Sequence, residues 1–269
     1  MCDCQSTSAM TRRTMIGGAA AVVGTALAVG TTNGVNVRAA VAAAAAVPAV
    51  PAVEVLPGLS IYPRDSWGAN LPPKGAIATE TPQFLLVHHT ASSNSYASAA
   101  GVIQATYAFH TSAAKGWNDV CYEFFIGRDG DVWEGRAGAL TGPVVADATG
   151  GSQGFAQLIC LLGDFTTQLP TAAAQDALVR VLAWLSDRYA IDIAGGATTS
   201  FVSRGSQRWP AGAVVTTPTI AGHRDMSFTS CPGDAMYPLL PDIRNRAVAQ
   251  REAWRTTLKP ARRLGAVTL

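Results

Sequence analysis

Charge is scarce in this chain: only 14% of its 269 residues are Asp, Glu, Lys or Arg, against 48% hydrophobic. So few charges exclude a highly charged nucleic-acid binder, and so many apolar residues exclude a disordered chain. Histidine and cysteine are scarcer still, with four and five copies. Four metal ligands in close pairs, the pattern of a structural zinc site, are missing. Internal repeats are missing too, which excludes solenoids and propellers. The length allows one or two domains and a sizeable core.

The small formal net charge of +2 hides an uneven distribution. Residues 44–243 carry sixteen acidic and ten basic side chains, whereas residues 244–269 carry seven basic and one acidic. An acidic body argues against nucleic acid as a partner. The basic end, 244–269, reads as a C-terminal helix or tail that is either a solvated helix or a contact for an anionic surface.

At the other end, Thr11-Arg12-Arg13-Thr14-Met15-Ile16 precedes an uncharged run rich in Ala, Gly and Val that lasts until Arg38. Paired arginines before a weakly apolar run mark a twin-arginine export signal, here residues 1–45, with Ala-rich cleavage sites such as Val41-Ala42-Ala43. The run is also long enough to span a membrane, but its Gly and Thr content makes it a poor anchor. Export would place the mature chain outside the cytoplasm, at the cell wall, with no membrane attachment after cleavage. The Ala/Val/Pro stretch 46–57 reads as an extended, flexible linker.

From Gly58 onward, strand and helix patterns alternate. Phe84-Leu85-Leu86-Val87 is a short buried strand, and residues 95–111 have helical apolar spacing. Residues 121–126 and 131–134 read as a hairpin closed on a two-residue Asp129-Gly130 turn, with Tyr122, Phe124 and Ile126 on one face. Gln157 to Phe165 is another strand, and Thr171 caps a helix reaching Tyr189. Residues 192–214 read as a long loop, 215–221 as a strand, and 242–258 as a last helix. The predicted fold class is α/β, a single domain with a central mixed β-sheet flanked by α-helices.

Histidines at strand ends stand where α/β folds build their sites. His88 and His89 end the first strand, His110 ends the first helix, and His223 ends the last strand, eight residues before Cys231. Two imidazoles and one thiolate suit Zn²⁺ with an open fourth position, the catalytic arrangement. Cys121 and Cys160 lie in apolar runs and are either a disulfide or two buried thiols.

The sequence around these residues is specific. Ile61-Tyr-Pro-Arg64-Asp-Ser-Trp67-Gly68, Phe84-Leu-Leu-Val-His88-His89-Thr90, Phe109-His110, Gly116-Trp117-Asn118-Asp119-Val-Cys-Tyr122, Glu134-Gly135-Arg136, Leu162-Gly163-Asp164-Phe165, and Gly222-His223-Arg224-Asp225 through Cys231-Pro232-Gly233 follow in order. Together they closely resemble the peptidoglycan recognition protein family, within the zinc-dependent type-2 N-acetylmuramoyl-L-alanine amidases. The resemblance runs from Ile61 to Leu240 and implies an amidase domain over residues 58–243. It implies His88, His223 and Cys231 as zinc ligands. Tyr122 and Thr229 become catalytic residues beside the reacting carbonyl, and peptidoglycan, through its muropeptide stem, becomes the partner. His89, Trp117 and Asn118 fall in the substrate-binding blocks. His89, next to His88 on a strand, points away from the metal and serves packing or groove shape; Trp117 and Asn118 shape the groove or brace the turn. Arg224 and Asp225 read as a structural ion pair, with a supporting role behind the neighbouring ligand His223 left open.

The resemblance also implies the reaction, hydrolysis of the amide between N-acetylmuramic acid and L-alanine. Family members that only bind peptidoglycan usually lack the cysteine, so Cys231 favours the enzyme over a binding module. One block departs from the pattern: Ala148 stands where relatives carry a groove histidine, which leaves a zinc hydrolase acting on another acyl amide open.

Overall fold

The computed structural model describes residues 50–151 and 153–264. The expected export signal lies outside the described residues. Among the described residues, no helix is long and apolar enough to cross a membrane.

Seven strands form a mixed sheet in the order β1 (Val53–Leu56), β2 (Leu59–Tyr62), β5 (Val132–Glu134), β4 (Phe124–Ile126), β6 (Ala156–Leu161), β3 (Phe84–His89) and β9 (Ile220–Gly222). The β4, β6, β3 and β9 strands run parallel, while β1–β2 and β4–β5 are antiparallel pairs. The neighbouring parallel strands β3, FLLVHH, and β6, AQLICL, are buried at every position. Parallel strands covered on both faces need such continuous apolar runs.

Alternation sorts these strands into two cores. Leu85, Val87, Phe124, Ile126, Ile159 and Leu161 join one, beneath helices α3 (Ala172–Arg188) and α5 (Leu240–Leu264). Phe84, Leu86, Phe125, Leu158 and Cys160 join the other, with Trp67 of the short α1 (Asp65–Gly68) and with α2 (Ala99–His110). Helix α2 starts at Ser98, whose side chain accepts from Gly101 N–H, and buries Ile103, Thr106, Tyr107 and His110, one stripe at helical spacing. Thr171 caps α3 as the sequence predicts, accepting from Ala174 N–H at 3.1 Å.

Several expectations change. The stretch read as linker contains β1, paired through the Pro57-Gly58 turn to β2. The hairpin between β4 and β5 closes on three residues, not two. Gly127 pairs with Asp131, Gly130 N–H returns to Gly127 O at 3.1 Å, and Gly130 takes φ +85, the type I turn plus left-handed residue of three-residue loops. Strand β4 begins only at Phe124, so Tyr122 does not share a face with Phe124 and Ile126; it packs with Phe125 in the other core. Residues 192–214 are not all loop, since β7 (Thr198–Val202) pairs antiparallel with β8 (Val214–Pro218) as a separate two-stranded sheet. The boundary expected at 243/244 falls inside α5, which buries Ile243, Ala247 and Trp254. Cys121 and Cys160 are buried and form no disulfide.

Candidate metal centre

Strand β3 presents His88 and His89 to opposite faces, as a pleated strand must. On the His88 face, the short helix α4 (His223–Met226) follows β9 and brings His223 to the carboxyl end of the sheet. The chain then turns back to Cys231. The donor atoms of His88, His223 and Cys231 all lie within 4.8 Å of one another, and all three residues are buried. The His88 and His223 ring centroids are 4.3 Å apart, and Cys231 Sγ is 3.6 Å from His88 Nδ1. His89 N–H donates to Cys231 Sγ at 3.4 Å.

The donor set fits a divalent cation. Burial, followed by the nearby histidines His223, His89 and His110, holds His88 well below the usual imidazole pKa, so it is neutral, the ligand form. Its Nε2 is buried with no hydrogen-bond partner. A buried polar atom left so is costly, and coordination removes that cost. Among the described residues this is the group of His, Cys, Asp and Glu side chains arranged to hold a metal.

Tyr122 stands beside the group, its ring 5.0 Å from that of His88. Arg64 and Arg136 hold the segment that carries it. Arg64 Nη2 pairs with buried Asp119 Oδ1 at 2.8 Å and its Nη1 donates to Gly135 O at 2.6 Å. Arg136 Nη1 reaches both Val120 O at 3.1 Å and Asp147 Oδ2 at 2.6 Å. His110 is neutral, its pKa lowered to about 3 by burial and then by Lys115 and Arg136. Its Nδ1 accepts from Cys121 N–H at 3.2 Å, and its ring sits 4.9 Å from that of half-buried Trp117. Trp117 therefore joins the wall around Tyr122 and His110. Thr229 is half-buried, and its hydroxyl accepts from the Cys231 N–H at 3.2 Å.

The structure does not gather every residue expected there. His89 is only 1% exposed, on the far face, where its Nδ1 accepts from Phe165 N–H at 3.2 Å; it packs there and does not face the metal group. Asn118 is exposed and spent on the preceding loop: its Nδ2 donates to Ala76 O, and its carbonyl accepts from Lys74 N–H. Arg224 and Asp225 do not pair. Arg224 bonds Asp234, whereas Asp225 accepts from Gly222 N–H at 2.8 Å and from Tyr237 Oη at 2.7 Å. Asp225 thus ties the residue before His223 to the segment after Cys231, a role that the next-door Arg224 masks in the sequence. Ala148 is fully buried in the core, and no part of it faces solvent.

A family model described as N-acetylmuramoyl-L-alanine amidase matches residues 78–234, which include all three candidate ligands. The chain is 31% identical over 212 residues to the N-acetylmuramoyl-L-alanine amidase of Sus scrofa, covering 76% of this chain and 31% of that protein. It is 33% identical over 124 residues to peptidoglycan-recognition protein LE of Drosophila melanogaster, covering 45% of this chain and 34% of that one. The chain therefore spans about a third of these relatives' length. Its fold is similar to the crystal structure of Drosophila peptidoglycan recognition protein SD, with TM-score 0.51 and 24% identity over 67% of this chain and 92% of that one. It is also similar to peptidoglycan recognition protein LE solved with tracheal cytotoxin, with TM-score 0.50 and 25% identity over 68% of this chain and 92% of that one. With a family match over more than half its length and a mixed sheet flanked by helices shared with the recognition proteins, the chain belongs to the N-acetylmuramoyl-L-alanine amidase family that includes the peptidoglycan recognition proteins.

Proposed function

We propose that the chain is a zinc-dependent amidase that hydrolyses the bond between N-acetylmuramic acid and L-alanine in peptidoglycan. The observation that carries this reading is the buried meeting of His88, His223 and Cys231. A protein that only binds the wall has no need of a converged imidazole–imidazole–thiolate group. Zinc in that group supplies a Lewis acid and a water nucleophile near neutral pH.

The chain's own residues do the rest. Burial keeps His88 unprotonated and ready to ligate. Tyr122 and Thr229 serve as donors to the carbonyl oxygen as it gains charge, and the half-buried Trp117, packed on His110, offers its ring to the stem peptide. Removing one such donor costs on the order of 10²–10³ in rate. The same reading places the protein in the cell wall, exported by the twin-arginine route.

The test is digestion of purified peptidoglycan by the purified chain with zinc, with and without a chelator, followed by mass spectrometry. Stem peptides beginning at L-alanine are expected from the zinc-loaded protein and not from Cys231→Ala. A protein that sediments with the wall yet releases no such peptide would overturn the enzyme reading in favour of a binding module.

A further inference from the structure

The loop from His223 to Cys231 begins with a single helical turn. A helix end leaves its last carbonyls without partners inside the helix. Here the following N–H groups do not reach the later carbonyls: Ser227 N–H closes the turn on His223 O at 3.0 Å and Thr229 N–H bonds Ser227 O at 3.0 Å. The carbonyls of Arg224 and Asp225 instead receive side chains from outside the loop. Arg208 Nη1 donates to Arg224 O, and Trp209 Nε1 donates to Asp225 O at 3.3 Å.

Both donors come from residues 203–213, the connection between β7 and β8, outside the main sheet. That connection is itself tied down. Ser203 N–H bonds Ala213 O at 2.8 Å, Ser206 N–H bonds Trp209 O at 2.8 Å, and Trp209 N–H bonds Ser206 Oγ at 2.9 Å. Arg204 fixes it to the neighbouring loop through Gln153 O at 2.7 Å and pairs with Glu80. Trp209 packs on the same core cluster as Met226 of α4. On the other flank, Gly150 at φ +82 approaches so closely that a Cβ there would lie 2.4 Å from Met226 O.

We propose that the 203–213 connection is a positioning element for the metal group: Arg208 and Trp209 close the open end of α4 and thereby fix where His223 and Cys231 present their donor atoms. The inference rests on the zinc reading above. Arg208 is exposed, so water screens its bond, whereas the half-buried indole of Trp209 carries the larger share. A cation at a helix C-terminus is favourable in its own right. Partners that orient a metal ligand typically change metal affinity 10–100-fold when removed.

The experiment compares Trp209→Phe, which keeps the ring but loses the donor, and Arg208→Ala with the wild-type chain. Three quantities are read: zinc affinity by competition with a chromophoric chelator, the absorption bands of the cobalt(II)-substituted protein, and the melting temperature of the metal-free protein. Trp209→Phe is expected to weaken zinc by about 10-fold and to shift the cobalt bands, with the metal-free melting temperature unchanged. Wild-type zinc affinity and unshifted bands in both variants would overturn the positioning role, as would a loss of affinity matched by a lower metal-free melting temperature. A wild-type chain that binds no zinc would overturn the metal reading itself, so the two failures are distinguishable.

Discussion

Glu123 follows directly after Tyr122 and is fully buried, with Leu158 N–H donating to its Oε2 at 2.7 Å. Burial raises its pKa to about 8, against the pull of the Leu158 bond and Arg136. In the unfolded chain a glutamate titrates near ~4.3. Between those two values the folded state binds a proton that the unfolded state has released, so stability falls as pH rises through that window. Each pH unit of the window is worth roughly 1.4 kcal/mol at most. Glu123→Gln removes this dependence. Its unfolding free energy, measured by denaturant titration at pH 5 and pH 8, is expected to drop less between the two than that of wild type, with the variant the more stable at pH 8. Parallel profiles would show that Glu123 titrates normally. At this scale the eight-residue spacing of His223 and Cys231 is a weak signal alone, and the metal trio is legible because ordered motif blocks surround all three residues. The fate of His89 follows from strand alternation alone. Asn118 and Asp225 are not legible, because what they bond is set by segments brought near only by folding.

Elements differ in how far local sequence decides them. Helix α3 is legible from its Thr171 cap and its apolar stripe, both local signals. Strand β1 is not, since an Ala/Val/Pro context reads as linker until β2 supplies a partner and α5 a lid. Strand β7 is hidden for a similar reason: only Phe201 of its five residues is buried, and the rest are Thr, Ser and an exposed Val. The last helix joins these ideas. Trp254 is buried, and its Nε1 donates to Pro57 O at 3.0 Å, so α5 clamps the β1–β2 turn. The basic charge of 244–269 is partly answered within the domain, with Arg246 paired to Asp176 and Arg255 to Asp187. Trp254→Ala is expected to cost about 3–5 kcal/mol in a chemical denaturation curve, as large-to-small core substitutions do. A loss below about 1 kcal/mol, the surface level, would mean that α5 is peripheral to the fold.

For the whole molecule, the sheet order is the least accessible to sequence reading, because β3, second from the edge of the sheet, takes its neighbours from residues 156–161 and 220–222. Long-range parallel pairings leave no local signature. The same order brings a ligand from the first third of the chain to two from the last third. Anything that binds the native state alone raises its stability by mass action, about 2.7 kcal/mol at a hundredfold excess over Kd. Zinc is therefore expected to raise the melting temperature of the chain and a chelator to reverse the shift, and Cys231→Ala is expected to abolish both effects. A melting temperature indifferent to zinc would argue against a site formed by the native fold. His88 and Cys231 stand 143 residues apart in sequence. A cation shared between them is also a cross-link, closing a loop whose closure entropy is on the order of 4 kcal/mol. It would work as a releasable staple in a chain whose described cysteines form no disulfide. It could close only after Cys231 had been synthesised, so a product truncated ahead of that residue would lack the clasp as well as the chemistry.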